Sequence, residues 1–423
     1  MCIRDSIRTG PKLPQVSPGD LVMVSGLVRE AFQQTELELI SPSSLEVLGR
    51  TALPAPIELD PPVDNQASLE YYEALEGVLV SVRGPANVVG PSTRYGEFSV
   101  VLAELELNRS WQNEDHGMLI HVDDGTSITH QTRDTMISAV SVGDQVFQIM
   151  GPLAFTYGNY KIEPSSDYLV QARTYEVPSL EDPGEGFFSI MTWNVENLFD
   201  FVVPHPSSPP LPRVSEYNKD ITKVALTIEA AGFPTIIGFQ EVENLEVLED
   251  IAAEPVLSGY QYQAILIEGT DSRGIDVGYL VRGDQAEIIS QEQYPPPGNI
   301  TSRPPLSIEI KFGDSAQHLF VLNNHFTSMS GGEIATLPRR NAQAAWNLEI
   351  AKDIQDENLT ALIAIIGDLN SYYGSWPLST LEHGGFVNVF DSLEPQERYT
   401  YVYQGNSQVL DHILMNDFLE GLL

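Results

Sequence analysis

Apolar and polar positions change rhythm once along the chain. From about residue 18 to 175, short stretches alternate or run apolar in the manner of half-buried strands. These stretches are Leu21–Val28, Val78–Arg83, Glu97–Leu102, Met118–Val122 and Val146–Leu153. Turn residues separate them at Pro18-Gly-Asp20, Gly84-Pro85, Gly90-Pro-Ser92, Asp123-Asp-Gly125 and Gly143-Asp144. A Gly-Asp opening closed by a later glycine occurs twice, at Gly19-Asp20 with Gly26 and at Gly143-Asp144 with Gly151. That recurrence suggests two related β-barrel or sandwich units, on a short pattern. After Pro178–Gly186, strands alternate with helices. Strands are predicted over Phe188–Trp193, Thr235–Phe239, Leu319–Asn323 and Leu362–Ile366, and amphipathic helices over Lys219–Ala231 and Arg339–Gln355. Pro204–Pro212 reads as a surface loop.

The chain therefore divides into four parts. Residues 1–17 are a non-native or disordered start, because Met1–Ser6 leads into nothing recognisable. Residues 18–177 form a β-rich region, 178–186 a linker, and 187–423 an α/β (α+β) domain whose sheets are covered by helices.

Composition changes this picture in three ways. There are 59 acidic and 22 basic residues, a formal net charge of −37. A protein that grips nucleic acid by neutralising many phosphates should be basic, so a polyanionic substrate here requires bound cations and a local basic patch. The plain alternative is an acidic surface adapted to salt or to an extracellular medium. Second, the one cysteine, Cys2, excludes an intramolecular disulfide and a zinc–cysteine cluster. Third, no run of eighteen apolar residues is present, so no helical membrane span is expected, and no signal peptide is visible at the start.

The chemistry sits where apolar strands run out. Asn194, Glu196 and Asn197 end one, Gln240 and Glu241 a second, His325 a third, and Asp368 and Asn370 a fourth. Strand tips are where α/β architectures place their sites. Oxygen donors with few histidines favour Mg2+ or Mn2+ over Zn2+. Each group alone has an ordinary explanation: a capped turn, a solvated loop or a structural histidine. The ordered set carries the argument.

That set comprises Trp193-Asn194, Gln240-Glu241, Asn324-His325, Gly367-Asp-Leu-Asn370 and Leu410-Asp411. From about Phe187 onward it resembles the endonuclease/exonuclease/phosphatase superfamily. Arg273-Gly-Ile-Asp-Val277, Ser302-Arg-Pro-Pro305 and Arg339-Arg-Asn-Ala-Gln-Ala344 are similar to stretches of bacterial extracellular nucleases, and the β-rich half resembles the OB-like segments such nucleases carry. The resemblance implies two packed β-sheets flanked by helices, and in-line attack of water on phosphorus. It implies Glu241 as principal metal ligand with Asn194 and Glu196 beside it, for Mg2+ or Mn2+ with Ca2+ as a further candidate. Asp368 would orient or deprotonate water, Asn370 hold the phosphate, and His325 hydrogen-bond a phosphate or leaving-group oxygen with Asp276 as its carboxylate partner. Arg273, Arg303 and Arg340 would contact phosphate, although a surface salt bridge is the plain reading of each.

Asp411-His412 lies between apolar neighbours in Gln408–Met415, as a strand does, so its two side chains point to opposite faces. Asp411, not His412, then fits the family's Asp motif that orients a histidine in a terminal Ser-Asp-His. No such tripeptide follows, and the domain is expected to lack its end and to have weak or no activity. The expected protein is an extracellular or periplasmic nuclease acting on DNA, with RNA as a further substrate, and with no obligate protein partner. Alternatives are a phosphodiesterase or phosphatase acting on lipid or inositol phosphates, and a non-catalytic scaffold on a degenerate nuclease fold.

Overall fold

A computed structural model describes residues 6–8, 16–31, 34–126, 128–130, 135–174, 178–184 and 186–422. It contains two compact units, one of residues 1–175 with 402–408, the other of 176–401 with 409–423. Most of the expected non-native start lies outside the described residues; Ser6–Arg8 form a strand pairing parallel with Gln34–Leu39.

The first unit is almost entirely β. Its main sheet has nine strands, around a core that includes Val80, Val100, Val146 and Ile162. The recurring Gly-Asp pattern has a structural counterpart. Asp20 accepts a hydrogen bond from Ser17 N at 2.7 Å, and Asp144 accepts one from Ser141 N at 2.8 Å. In both copies a strand follows, breaks, and is followed by a second strand: Asp20–Val24 then Gly26–Ala31, and Gln145–Phe147 then Met150–Thr156. A Cβ on Gly26 or Gly151 would lie 2.4 or 1.8 Å from a carbonyl oxygen of the neighbouring segment, which explains why a glycine recurs there. Two features escaped the sequence pattern. Asn65–Glu73 is a helix, started by Asp64 accepting from Ala67 N. Asn406–Gln408, expected in the C-terminal domain, pairs with Ser110–Trp111.

The second unit stacks two sheets. One contains β1 (Ile190–Leu198), β2 (Ile236–Val242), β3 (Tyr262–Leu266) and β4 (Asp276–Arg282), in the order β1-β2-β4-β3. The other contains β5 (Glu287–Gln293), β6 (Leu306–Lys311), β7 (His318–His325), β8 (Leu362–Asp368), β9 (Phe386–Asn388) and β10 (Asp411–Asn416), in the order β5-β6-β7-β8-β10-β9. Side-chain alternation builds the layers. Ile236, Tyr279, Val321, Ala364 and Ile366 fill the space between the sheets. Ile237 and Phe239 face outward beneath α1 (Val214–Ala230) and α2 (Leu245–Ala252), whereas Ile363 and Ile365 face α3 (Glu333–Glu357) and α4 (Trp376–His383). The result is a β-sandwich flanked by helices. Part of the expected linker belongs to this unit: Leu180 N donates to Ala230 O, and Asp182 pairs with Arg282 at 2.8 Å.

The strands run further than the apolar pattern foretold. β1, β2, β7 and β8 continue through the polar residues that follow their apolar runs, because the hydrogen-bond ladder persists after the side chains turn polar. Those polar side chains consequently stand on sheet backbone.

Candidate active site

Parallel pairing of β1 with β2, and of β7 with β8, brings the polar ends of these strands to the same edge of their sheets. Glu241, one residue before the end of β2, is in the left-handed region, φ 65°. Its Oε2 accepts a hydrogen bond from Asn197 N at 3.0 Å. Its Oε1 lies 3.6 Å from His325 Nε2 and 3.7 Å from Arg273 Nη1, longer than hydrogen bonds. Asp368 closes β8. Its Oδ1 accepts from Asn370 N at 2.9 Å, and its Oδ2 accepts from Asn194 Nδ2 at 3.0 Å and stands 3.6 Å from His325 Nε2. Glu241, Asn194, His325 and Asp368 are therefore one group of contacts. Asn370, at φ 44°, is tied by Nδ2 to Phe326 O at 3.2 Å.

Burial sets the charges. His325 is 3% exposed, and burial, with Arg303 and then Arg273 nearby, holds its proton affinity well below the usual imidazole range. This favours the neutral imidazole, and its 3.6 Å approaches to Glu241 and Asp368 are then contacts rather than ion pairs. Asp411 is the register partner of Asp368 across β8 and β10. Burial, and then the charge of Asp411, push the Asp368 carboxyl up; burial also raises Asp411, whose Oδ1 is buried without a hydrogen-bond partner among the described residues. His412 faces the other way. Its Nε2 donates to Ser371 O at 2.8 Å, its Nδ1 accepts from Asn388 Nδ2 at 3.0 Å, and burial lowers its pKa to about 4.

Beneath the group, Asn323 on β7 ties the two sheets together. Its Nδ2 donates to Phe239 O and Gly278 O, both at 2.9 Å, while its Oδ1 accepts from Gln240 Nε2 at 2.7 Å. Satisfied buried networks of this kind hold a site rigid.

A cavity of about 470 Å³ opens over the group, lined on the catalytic side by Glu241, His325, Asp368 and Asn370 and further out by Arg273, Arg303 and Arg339. Asp271 organises two of these arginines. It pairs with Arg303 Nη1, approaches Arg273 Nε at 3.6 Å, and accepts from Ser302 Oγ at 2.8 Å. Burial opposes its charge, but the Arg273 N–H, Ser302 and the arginines outweigh that, and its carboxyl is held low.

Three expectations need correction. Asp276 does not pair with His325. It lies opposite Val242, its Oδ1 accepts from Gly269 N at 2.7 Å, and His325 Nδ1 is buried without a hydrogen-bond partner among the described residues. Burial, and then Glu268, raise the Asp276 carboxyl. Arg340 does not line the cavity. It is 1% exposed, with Nη1 donating to Thr336 Oγ1 at 2.5 Å and Nη2 to Glu333 O at 3.0 Å. Its neighbour Arg339 lines the cavity instead, because consecutive helical residues point about 100° apart. Glu196 is exposed on a bulge of β1 at φ 54°, and its backbone N–H, at 2.9 Å from Asn194 Oδ1, is what reaches the group. Asp271, Asn323 and Arg339 were not anticipated; the Arg339-Arg340 pair was the one sequence signal for the last.

Among the described residues no three His, Cys, Asp or Glu side chains are arranged to hold a metal by themselves. The donors present fit a different arrangement. Glu241 Oε1 is free of close hydrogen bonds and Asn194 supplies an amide oxygen. One or two protein oxygens, with water completing the shell, suit Mg2+.

Among solved structures, humanized zebrafish (D. rerio) TDP2 is similar at 20% identity and TM-score 0.41, over 54% of this chain and 83% of that one. The human Nocturnin catalytic domain is similar at 14% and 0.39, over 54% and 83%. A mannosyl-6-phosphatase of Bacteroides thetaiotaomicron is similar at 17% and 0.40, over 55% and 86%. No curated protein matches the chain. Residues 53–174 match a domain family of unknown function. Residues 189–421, more than half of the chain and all of the residues just described, match the Endonuclease/Exonuclease/phosphatase family, and the chain belongs to that family.

Proposed function

We propose that the chain is a divalent-metal-dependent phosphodiester hydrolase, an extracellular or periplasmic endonuclease acting on DNA, with RNA as a further substrate. The observation that carries this proposal is the convergence, from three strands, of Glu241, His325 and Asp368 at one cavity walled by arginines, with Asn194 of a fourth strand bonded to Asp368. Glu241 and Asn194 would hold Mg2+ or Mn2+, with Ca2+ as a further candidate, and such an ion when bound neutralises phosphate charge and stabilises the departing oxygen.

The remaining work falls to the chain's own groups. Asp368, fixed by Asn370 N and Asn194 Nδ2, orients a water and takes its proton as the water oxygen attacks phosphorus. Neutral His325 donates its N–H to a phosphate oxygen, and Asn370 binds another. Arg273 and Arg303, held by Asp271, stabilise negative charge spread over the phosphate. Asp411 sits behind Asp368 and favours its protonated form.

A net charge of −37 weighs against long polyanions and favours a second reading, a small lipid or inositol phosphate ester at the same site. Plasmid nicking with Mg2+ or Mn2+, with and without chelator, separates the two. Glu241→Ala and Asp368→Ala should each lower nicking by about 10²-fold or more. Glu241→Ala should also abolish the rise in melting temperature that the metal produces in the parent chain. Release of phosphate from lipid or inositol esters without nicking would move the substrate to the second reading. Neither turnover nor a metal-dependent melting shift, in a chain extended through the domain's expected end, would mean a non-catalytic scaffold.

A further inference from the structure

We infer that Arg339 forms a second phosphate subsite, receiving a phosphate that neighbours the reacting one, and that the preferred substrate carries at least two phosphates. This inference rests on the hydrolase reading above and adds a substrate class to it.

Charge singles out Arg339. In a chain with 22 basic and 59 acidic residues, cations without a counter-ion are scarce. Within the cavity Arg303 is paired with Asp271, and Arg273 lies near both Asp271 and Glu241. Among the described residues Arg339 has no carboxylate within ion-pair distance. Backbone carbonyls aim it instead: Nε donates to Ile300 O at 2.8 Å and Nη2 to Asn299 O at 3.1 Å. Nη1 makes no hydrogen bond to the described residues, which leaves one side of the guanidinium fork for a ligand. A carbonyl-held guanidinium keeps its full charge and a fixed direction, the arrangement suited to bidentate capture of a phosphate.

The surroundings are consistent with that role. Ser328 and Ser330 line the same cavity and can donate to an anion. Arg340, behind the wall, is a second guanidinium without a carboxylate in ion-pair range among the described residues, with a buried Nε that has no partner. Its charge further favours an anion beside Thr336, which it touches and which lines the cavity. Arg339 is also anchored separately from the arginine group that would hold the reacting phosphate. That group is linked through Asp271, whereas the anchors of Arg339 are at the start of the loop Asn299–Arg303. The cavity volume, about 470 Å³, is that of a site for a ligand larger than a single phosphate.

The test compares thymidine dinucleotide, with one phosphodiester, and thymidine trinucleotide, with two, in the parent chain and in Arg339→Gln, Arg339→Lys and Lys223→Gln. Lys223 pairs with Asp220 on the surface of α1, and its variant controls for net charge. The parent should cleave the trinucleotide more efficiently. Arg339→Gln should reduce that advantage about tenfold, chiefly through KM, and lower the salt slope of trinucleotide binding by about 0.7. Arg339→Lys should retain part of the advantage, and Lys223→Gln all of it. Equal losses on both substrates would place Arg339 at the reacting phosphate and overturn the subsite while leaving the hydrolase reading intact. If the parent cleaves neither substrate, turnover does not report on the subsite, and calorimetric binding of inorganic pyrophosphate against inorganic phosphate decides it. Absence of a pyrophosphate preference that Arg339→Gln removes would overturn it.

Discussion

Two costs are concentrated on single side chains of the site. Glu241 and Asn370 have φ angles of 65° and 44°, in a region that costs a residue with a Cβ about 1–2 kcal/mol. Such strain persists where the surrounding structure enforces it, and at functional positions in particular. Glu241→Gly should therefore melt about 2–4 °C above Glu241→Ala, although both lose the metal response; equal melting temperatures would show that the strain is not stored there. The second cost is the facing pair Asp368 and Asp411, whose carboxyls burial pushes up. A raised folded-state pKa means that the native chain binds more protons than the unfolded one. These groups then contribute stability that is complete below the ordinary carboxylate range and is lost as pH rises toward neutrality. Buried, neutral His325 and His412 act with the opposite sign, their contribution being lost as pH falls below the ordinary imidazole value. In chelator, Asp411→Asn should melt about 2–4 °C above the parent near about pH 8 and lose that advantage near about pH 4. Parallel melting curves across this range would rule out charge strain in the pair.

The strands carrying these residues explain how much of the site could be foreseen. Ile363–Ile366 and Ile236–Phe239 advertise buried strands, and the polar residues after them mark their ends. That is why Glu241, Asp368 and His325 were legible, and the structure brings them together. Glycine in β8 was legible only as part of a motif. Gly367 has φ 135°, and a Cβ there would lie 1.9 Å from Asn324 O on β7. The two strands approach too closely for any side chain at the position from which Asp368 is aimed. Gly367→Ala should cost about 3 kcal/mol, seen as a lower urea midpoint at an unchanged m value; a cost below about 0.5 kcal/mol would show that the strands separate easily. The helix carrying Arg339 and Arg340 was also foreseen, but not which arginine faces the cavity. That depends on helix phase, and Arg340 is the one taken up by Thr336 and Glu333 O.

A net charge of −37 burdens the folded chain with self-repulsion, because folding brings the acidic groups closer together. Screening should relieve it. Raising salt from about 0.05 M to about 0.5 M shortens the Debye length from roughly 14 Å to 4 Å and should raise the melting temperature of the chelated chain. A fall would mean that specific ion pairs, such as Arg282 with Asp182 and Asp284, outweigh the general repulsion. The same charge makes the scarce cavity arginines the natural place for an anionic substrate to bind.

Hydrophobic periodicity was enough to establish the β-rich first half, the strand-and-helix second half and the polar residues at the strand tips, because burial imposes a period on every element that packs. It could not assign partners. Asp276 is separated from His325 by how β4 and the Gly269 turn fold, Asp271 gains Arg303 across more than thirty residues, and Asn323 bridges sheets that meet only in three dimensions. Local pattern records which side of an element is buried; which charged groups meet there depends on strand order, helix phase and loop path, and these are set by the packed chain as a whole.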